Sequence, residues 1–360
     1  MSFFSRSIAS CLSLFLLLAV TGCGGSNSST VQAQSDAKAS FVYVTDASSS
    51  ELNGYSVAAS SGKLTSISGF PVATGSVPMS AVANPKMNVL YVANSQDRSI
   101  SVFGYSNSGS TTLVATHALA SQPFQMATSS NADRLFVLMP LSAQIAVFPV
   151  TSTGDLGTAS VLTFVSPADP TRFSLSSDNS TIFASDSNGY ISVVTAIDTA
   201  LTEVSGSPFA VSDRPIDIAC CDGSSLYIAD FDNSKLVQYA YSASPASLQR
   251  VAAVSSSAPE PYRILLTADN SYLLVATATN IASYALDVSS AAPASTPTST
   301  VTAGSNISFF VLDPAGGYLY SADQNGDLVY SIAVSNGTLG VVGSATSAGG
   351  PSAVTAAVLH

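Results

Sequence analysis

Three charged residues occupy the same position of a repeating pattern, where they could together hold an anion. Arg172, Asp217 and Arg263 each lie two residues after a proline, in stretches that are otherwise apolar. A guanidinium group presents a planar pair of N–H groups that matches the two oxygens of a carboxylate or phosphate. The pattern therefore predicts a site for a small anion, with Arg214 and Tyr262 in the adjoining loops. The alternative is a network of the same side chains that joins neighbouring repeats.

These residues belong to a sequence repeat with a period of 44 to 48 residues. Seven segments contain an apolar, aromatic-rich strand, a polar turn and a second apolar strand, and the aligned residues are Tyr43, Tyr91, Phe136, Phe183, Tyr227, Leu274 and Tyr320. Such a period, with several short strands in each unit, is typical of the blades of a β-propeller. The sequence therefore predicts an all-β, seven-bladed β-propeller with four-stranded blades over residues 41–360.

A series of prolines marks the innermost strand of the blades: Pro78, Pro123, Pro170, Pro215, Pro261 and Pro351, with Ser305 and Asn306 in place of the sixth member. Proline at the first residue of a strand costs no hydrogen bond of the ladder. The last proline has no blade after it, and the first blade, beginning at Phe41, has no innermost strand before it. We therefore expect residues 351–358 to complete the first blade and close the ring, which removes two open sheet edges.

The residues two positions after these markers are expected at the mouth of the central channel. They are Ser80, Gln125, Arg172, Asp217, Arg263 and Ala353, with Ile307 as the approximate match in the blade that lacks the proline. We take the polar members, Ser80, Gln125, Arg172, Asp217 and Arg263, as the candidate ligand-binding residues.

A second set of polar residues ends the first predicted strand of the blades: Asp46, Asn94, Met139, Asp186, Asp230, Thr277 and Asp323. Four carboxylates on one face could bind a hard cation through oxygen ligands. Asp and Asn at strand ends also start turns by accepting hydrogen bonds from nearby backbone N–H groups, and this is the favoured interpretation. His and Cys do not occur with metal-ligand spacing, so the sequence predicts no metal site and no cofactor.

The first 40 residues predict export and membrane attachment. Residues 11–20 (CLSLFLLLAV) are an apolar run too short to span a membrane, which is typical of a signal peptide covering residues 1–22. The following Val-Thr-Gly-Cys resembles the lipobox of bacterial lipoproteins, in which the cysteine, here Cys23, is lipidated. Residues 23–40 then form a flexible linker, and outer-membrane sorting is the default for Gly24 after the cysteine.

Two further features limit the chemistry. Cys220 and Cys221 are adjacent, and they form either a strained vicinal disulfide or two reduced thiols. The net charge of -11 disfavours nucleic acid as a partner. The expected partners are the membrane, through the lipid on Cys23, and a small anionic ligand, a glycan or a protein; the propeller itself is expected to be a monomer.

The strands VYVTD and LYVAN, with the segments SGFPVA (68–73) and GSPFA (206–210), resemble the seven-bladed lactonase propellers. That family includes 6-phosphogluconolactonase-like proteins and shades into the YVTN-repeat surface proteins. Active members carry Gly-Pro-Arg-His at an innermost strand and Asn-Glu-Leu after a following strand. Neither motif occurs in this sequence, and His117 falls in a predicted outer strand.

Two functions follow as hypotheses. The leading one is a non-catalytic envelope protein whose propeller binds a small anion, a glycan or a protein. The competing one is a lactone hydrolase or cyclase, in which Arg172 and Arg263 hold the substrate and Asp217 or Glu260 acts as base. A purely structural repeat protein is the third reading.

Overall fold

The structure is a computed structural model that describes residues 40–360 except 166–167, 212–213, 221–223, 245 and 256–259. Within this part of the chain, the helical element is a single 3₁₀ turn, Pro140–Ser142, and all other regular structure is β. No helix among these residues is long and apolar enough to cross a membrane.

The strands form seven antiparallel sheets, one for each blade. In chain order, the first three blades contain β1 (Ser40–Asp46), β2 (Glu51–Val57), β3 (Leu64–Ser66) and the short β4 (Val72–Ala73); β5 (Pro78–Ala83), β6 (Val89–Asn94), β7 (Ser99–Tyr105) and β8 (Thr111–Ala118); and β9 (Gln125–Thr128), β10 (Arg134–Met139), β11 (Gln144–Pro149) and β12 (Ser160–Thr163).

The fourth and fifth blades contain β13 (Pro170–Leu175), β14 (Thr181–Asp186), β15 (Tyr190–Ile197), β16 (Ala200–Glu203) and the short β17 (Phe209–Ala210); and β18 (Pro215–Cys220), β19 (Ser225–Asp230), β20 (Lys235–Ala243) and β21 (Ala246–Ser255). The last two contain β22 (Arg263–Leu266), β23 (Tyr272–Ala276), β24 (Asn280–Ala285) and β25 (Ser299–Thr302); and β26 (Ile307–Leu312), β27 (Tyr318–Asp323), β28 (Leu328–Ser335), β29 (Thr338–Val341) and the short β30 (Thr346–Ser347), before the final strand β31 (Pro351–Val358).

Apolar residues are buried on both faces of each blade, because each blade packs between two neighbours. The strands β6 and β10 are buried at every residue, which explains why the sequence shows little alternation of apolar and polar residues. One apolar cluster fills each of the seven interfaces between adjacent blades. The predicted seven-bladed propeller is confirmed.

The predicted closure of the ring is also confirmed. The C-terminal strand β31 pairs with β1 along its whole length, from Ser40 opposite Val358 to Asp46 opposite Pro351. It is the innermost strand of the first blade, so that blade combines both ends of the described chain.

A β-bulge recurs near the start of the innermost strand in five blades. In the second blade, Pro78 lies opposite Asn94 and Ser80 opposite Ala93, so Met79 is the extra residue. Bulges redirect side chains and are common beside functional sites. In the second, fourth and fifth blades the extra residue is the one that follows the marker proline, and it lies at the mouth of the channel.

Tyrosines of the repeat join the first blade to the second and the second blade to the third. The Tyr43 hydroxyl donates to the carbonyl oxygen of Gly109 at 2.7 Å, and that of Tyr91 donates to Gly154 at 2.8 Å. Both glycines have positive φ, at 80° and 85°, in the outer hairpin of the next blade. In the third blade the aligned residue is Phe136, which has no hydroxyl, and the guanidinium of Arg134 bonds two carbonyls of the fourth blade instead.

The substitution Tyr43→Phe is expected to lower the free energy of unfolding by about 1 kcal/mol, because it leaves the carbonyl of Gly109 without this donor. Tyr320→Phe is the matched control, since the Tyr320 hydroxyl is buried without a hydrogen-bond partner among the described residues. Removing that hydroxyl is expected to leave stability unchanged or to raise it. Urea unfolding of both variants measures the difference, and equal losses would show that the hydroxyl bonds do not join the blades.

Candidate functional site: the mouth of the channel

A cavity of about 570 Å³ lies where the innermost strands of the second to sixth blades begin. Each of these blades contributes the residue directly after its marker proline: Met79, Phe124, Thr171, Ile216 and Tyr262. Three arginines, Arg172, Arg214 and Arg263, lie in the same wall. The cavity is therefore cationic and partly apolar, as the sites of small organic ligands often are.

Arg172 is the member of the predicted set whose bonding is incomplete. Its guanidinium carbon lies 4.2 Å from the ring centroid of Phe124, and its Nη1 donates to the Thr171 carbonyl at 3.1 Å. Its Nε is buried and has no hydrogen-bond partner among the described residues. Burial lowers the pKa of Arg172 to about 10, and the nearby Asp217 works in the opposite direction. The side chain is therefore a largely buried cation with one donor that no described protein group satisfies.

The other two arginines have protein partners. Arg263 donates from Nε and Nη2 to the Ser308 carbonyl at 3.2 and 3.1 Å, which joins the sixth blade to the seventh. Arg214 pairs with Asp232 at 3.5 Å, and about half of its side chain is exposed. Both add positive charge to the cavity, but their donors are partly used.

Asp217 is buried, with 6% of its surface exposed. Its two carboxylate oxygens accept hydrogen bonds from the backbone N–H groups of Ile218 and Ile264, each at 2.9 Å. Burial raises the pKa of Asp217 to about 6, against the lowering effects of Arg172 and these two bonds. Because both oxygens are occupied, Asp217 joins the fifth blade to the sixth and is poorly placed to take a proton from a substrate.

Ser80 and Gln125 also join blades. The hydroxyl oxygen of Ser80 accepts from the Met126 N–H at 3.2 Å. The Gln125 amide pairs with both backbone groups of Phe173, each at 2.9 Å. The alternative of a structural network therefore describes Ser80, Gln125, Asp217 and Arg263, whereas Arg172 departs from it.

The predicted equivalent in the seventh blade is wrong by two residues. Ile307 lies opposite Asp323, the last residue of the neighbouring strand, just as Pro170 lies opposite Asp186 in the fourth blade. After the bulge, Phe309 lies opposite Ala322. Phe309 is therefore the equivalent of Arg172, and its ring centroid lies 5.2 Å from the guanidinium carbon of Arg263. The equivalent in the first blade, Ala353, is fully buried.

Four residues directly after the marker prolines, Met79, Phe124, Thr171 and Ile216, were not among the predicted site residues, although they line the cavity. The proline positions themselves hold the signal, because in the second, fourth and fifth blades the residue after the proline is the extra residue of a bulge and lies in the cavity wall. Counting one residue after the proline, in addition to two, would have identified Met79, Phe124, Thr171 and Ile216.

The polar residues at the strand ends accept hydrogen bonds from backbone N–H groups. Asp46 caps its own turn, accepting from Ser48 and Ser49 at 2.8 and 3.1 Å. Asp323 and Asn94 instead accept from Asn306 and Gly75, at 2.9 and 3.1 Å, in the loops before the innermost strands of their blades. No group of three or more His, Cys, Asp or Glu side chains in the described residues is arranged to hold a metal ion.

The remaining candidates lie apart from the cavity or outside the described residues. His117, on the outer strand β8, pairs with Asp155 at 2.6 Å beside a second cavity, and this bond is the main cause of the lowered pKa of Asp155. Glu260 is exposed and is not part of the cavity wall. The backbone N–H of Cys220 donates to Ser174 of the fourth blade, but Cys221 lies outside the described residues, as does Cys23.

Comparison with known proteins supports the fold independently. Residues 26–135 match the family model described as "Lactonase, 7-bladed beta-propeller". A candidate 6-phosphogluconolactonase of Bacteroides fragilis superimposes with a TM-score of 0.75 and 17% identity, over 90% of this chain and 99% of that one. The periplasmic gluconolactonase of Pseudomonas aeruginosa gives a TM-score of 0.70 and 19% identity, again over 90% and 99%. No curated protein sequence matches. The chain is thus a seven-bladed β-propeller, and its residues 26–135 match the lactonase family model.

Proposed function

We propose that the propeller binds a small organic anion at the mouth of its channel. One observation carries the proposal: Arg172 is desolvated, stacks on Phe124, and keeps a buried Nε without a partner. An unsatisfied buried donor is costly, and the Arg172 guanidinium lines the cavity, where a bound carboxylate would pair with its charge. The neighbouring charges of Arg214 and Arg263 favour the same ligand.

Lactone hydrolysis is the competing function, and the resemblance to solved structures named for that activity favours it. An anion site suits both functions, because opening a lactone gives a carboxylate. The described residues of the cavity wall include no histidine, and Asp217 has both oxygens occupied. Binding without turnover is therefore the function that the geometry of this site supports better.

The decisive experiment measures binding and turnover on the same preparation. Calorimetric titration with acetate, butyrate and gluconate is expected to show saturable binding, and incubation with δ-gluconolactone is expected to release acid no faster than the buffer alone. Absence of binding by every carboxylate would overturn the proposal. Acid release that saturates with lactone concentration would establish the competing function instead.

Anion affinity is expected to fall as the pH rises through about 6. Below that pH Asp217 is neutral, and above it a carboxylate forms beside Arg172, offsets its charge and repels the ligand. A coupling of this kind changes affinity by about fivefold or more. The probe is methanesulfonate, which keeps its charge from pH 5 to pH 8. An affinity that is constant over this range would show that Asp217 does not act on the site.

The raised pKa of Asp217 also makes the stability of the ligand-free protein depend on pH. A carboxyl group whose pKa is higher in the folded state favours folding at low pH, and this contribution is lost as the pH rises through about 6. Melting temperatures at different pH values therefore differ before any ligand is added. Affinities, or ligand-induced shifts measured at each pH, are the quantities to compare.

We further propose that the protein is exported and anchored to the cell envelope by a lipid on Cys23. The apolar run of residues 11–20 and the Val-Thr-Gly-Cys sequence support this proposal. The variant Cys23→Ser is expected to move from the membrane fraction to the soluble fraction, while wild type partitions into detergent. Equal partitioning of the two proteins would refute the lipid anchor.

A further inference from the structure

We propose that the ligand of the channel mouth is a carboxylate with a hydrocarbon body, such as a fatty or arylalkyl acid, and not a sugar acid. This inference rests on the anion-binding function proposed above and specifies the class of ligand for the same cavity. It follows from three properties of the wall: its apolar surface, the prior engagement of its polar groups and the position of its charge.

The wall of the cavity is mainly apolar. Hydrocarbon side chains from different parts of the ring converge on it: Val77, Met79, Phe124, Pro140, Leu141 and Ile216. Leu141 is 77% exposed on the 3₁₀ turn that borders the mouth. The exposed side chain of Leu141 is available to cover the body of an apolar ligand.

Most of the polar groups in the wall are already engaged within the protein. The Thr171 hydroxyl bonds Ser185 and the Pro215 carbonyl, and the Tyr262 hydroxyl donates to the Ile307 carbonyl. A sugar acid buries several hydroxyl groups, and each would need a partner here in exchange for water. Asp169 already accepts from the Ser187 hydroxyl, and Ser95 and Gln122 are too few to supply them along the whole wall. A hydrocarbon body makes no such demand.

The charge lies beside an apolar surface. The Arg172 guanidinium rests on the face of Phe124, while Met79 and Ile216 occupy the equivalent position to Phe124 in the second and fifth blades. A carboxylate bound to Arg172 therefore places its next carbons against these side chains. The arrangement matches an amphipathic anion, with one charged group and an apolar remainder.

A homologous series of ligands tests this inference directly. Calorimetric titrations with acetate, butyrate, hexanoate and octanoate, and with gluconate, are run on the full propeller. Each buried methylene group is expected to tighten binding about three- to fourfold, so hexanoate should bind at least tenfold more tightly than gluconate. Hexanol serves as the uncharged control and should bind more weakly than hexanoate.

The outcomes separate the two proposals. If no carboxylate binds, the anion-binding function fails, and this inference fails with it. If acetate and gluconate bind as tightly as hexanoate, the anion site stands and the inference is overturned. If hexanol binds as tightly as hexanoate, the carboxylate contributes nothing to binding, and the proposed ligand class, an amphipathic anion, is overturned.

Two variants test whether the wall of the cavity contacts the hydrocarbon chain of the ligand. Leu141→Asn changes an exposed side chain, so folding is not at risk, and Ile216→Asn changes a half-buried side chain of the cavity wall. Each should reduce the gain in affinity from acetate to octanoate. Val288→Asn is the matched control, because Val288 is fully exposed in the outer loop of the sixth blade, away from the channel. An equal gain in all three variants would place the hydrocarbon chain elsewhere and refute the inference.

Discussion

Deletion of residues 351–360 is expected to unfold the propeller or to lower its melting temperature by about 10 °C or more. The deletion removes β31, the innermost strand of the first blade, and exposes the hydrogen-bonding edge of β1 in the middle of the ring. The loss of its ladder bonds and of fully buried side chains such as Val354 amounts to about 5 kcal/mol or more.

The strand β31 also joins the first blade to both neighbouring blades, so its loss destabilises the whole ring. Ser308 of the seventh blade donates its hydroxyl proton to the Pro351 carbonyl at 3.1 Å, and Ser352 donates to Pro78 of the second blade. The Tyr105 hydroxyl of the second blade donates to the Val358 carbonyl at 2.8 Å. Without β31 these contacts and the packing of Ala353 and Val354 are lost together.

The control is a truncation after Val358, which removes only the two residues beyond the strand. Differential scanning fluorimetry should show a melting temperature close to that of the intact chain for this shorter deletion. A synthetic peptide of residues 351–360, added to the protein with the longer deletion, should raise its stability as the peptide concentration rises, because the peptide binds the folded protein and not the unfolded chain. A melting temperature unaffected by the longer deletion would show that the ring does not need closure.

The architecture was predictable because each blade meets the same physical demand. Every blade is buried on both faces between its neighbours, so strands such as β6 and β10 repeat the same apolar and small residues at a constant period. The unmatched proline at 351 and the unmatched strand at Phe41 then define the closure without any knowledge of side-chain contacts.

The bonding of the site was not predictable, because it depends on local register and not on residue type. Gln125, Asp217 and Arg263 look like ligand-binding groups in the sequence, but each finds a backbone partner on the next innermost strand. The two-residue error at Ile307 has the same origin, since its blade lacks the proline that marks the bulge. Periodicity locates a side chain on a ring, whereas only coordinates show whether its donors are already used.

The substitution Arg172→Ala is expected to weaken anion binding at least about 100-fold, the effect of removing two charge-assisted hydrogen bonds from a desolvated site. Arg172→Lys should give an intermediate loss, because lysine keeps the charge but not the planar pair of donors. Both affinities are measured by the carboxylate titration used for wild type.

The stability of the same variants distinguishes a ligand-binding arginine from a structural one. Arg172 has a buried Nε without a partner, so its removal should leave the melting temperature of the ligand-free protein unchanged or raise it. Arg263 is the matched comparison: it donates two hydrogen bonds to the Ser308 carbonyl of the next blade, and Arg263→Ala should cost about 1–2 kcal/mol of stability. If Arg172→Ala destabilised the protein as much as Arg263→Ala and left anion affinity intact, Arg172 would belong to the network that joins the blades. If Arg172→Ala instead kept full stability and lost its affinity for anions, Arg172 would be a ligand-binding residue and not a structural one.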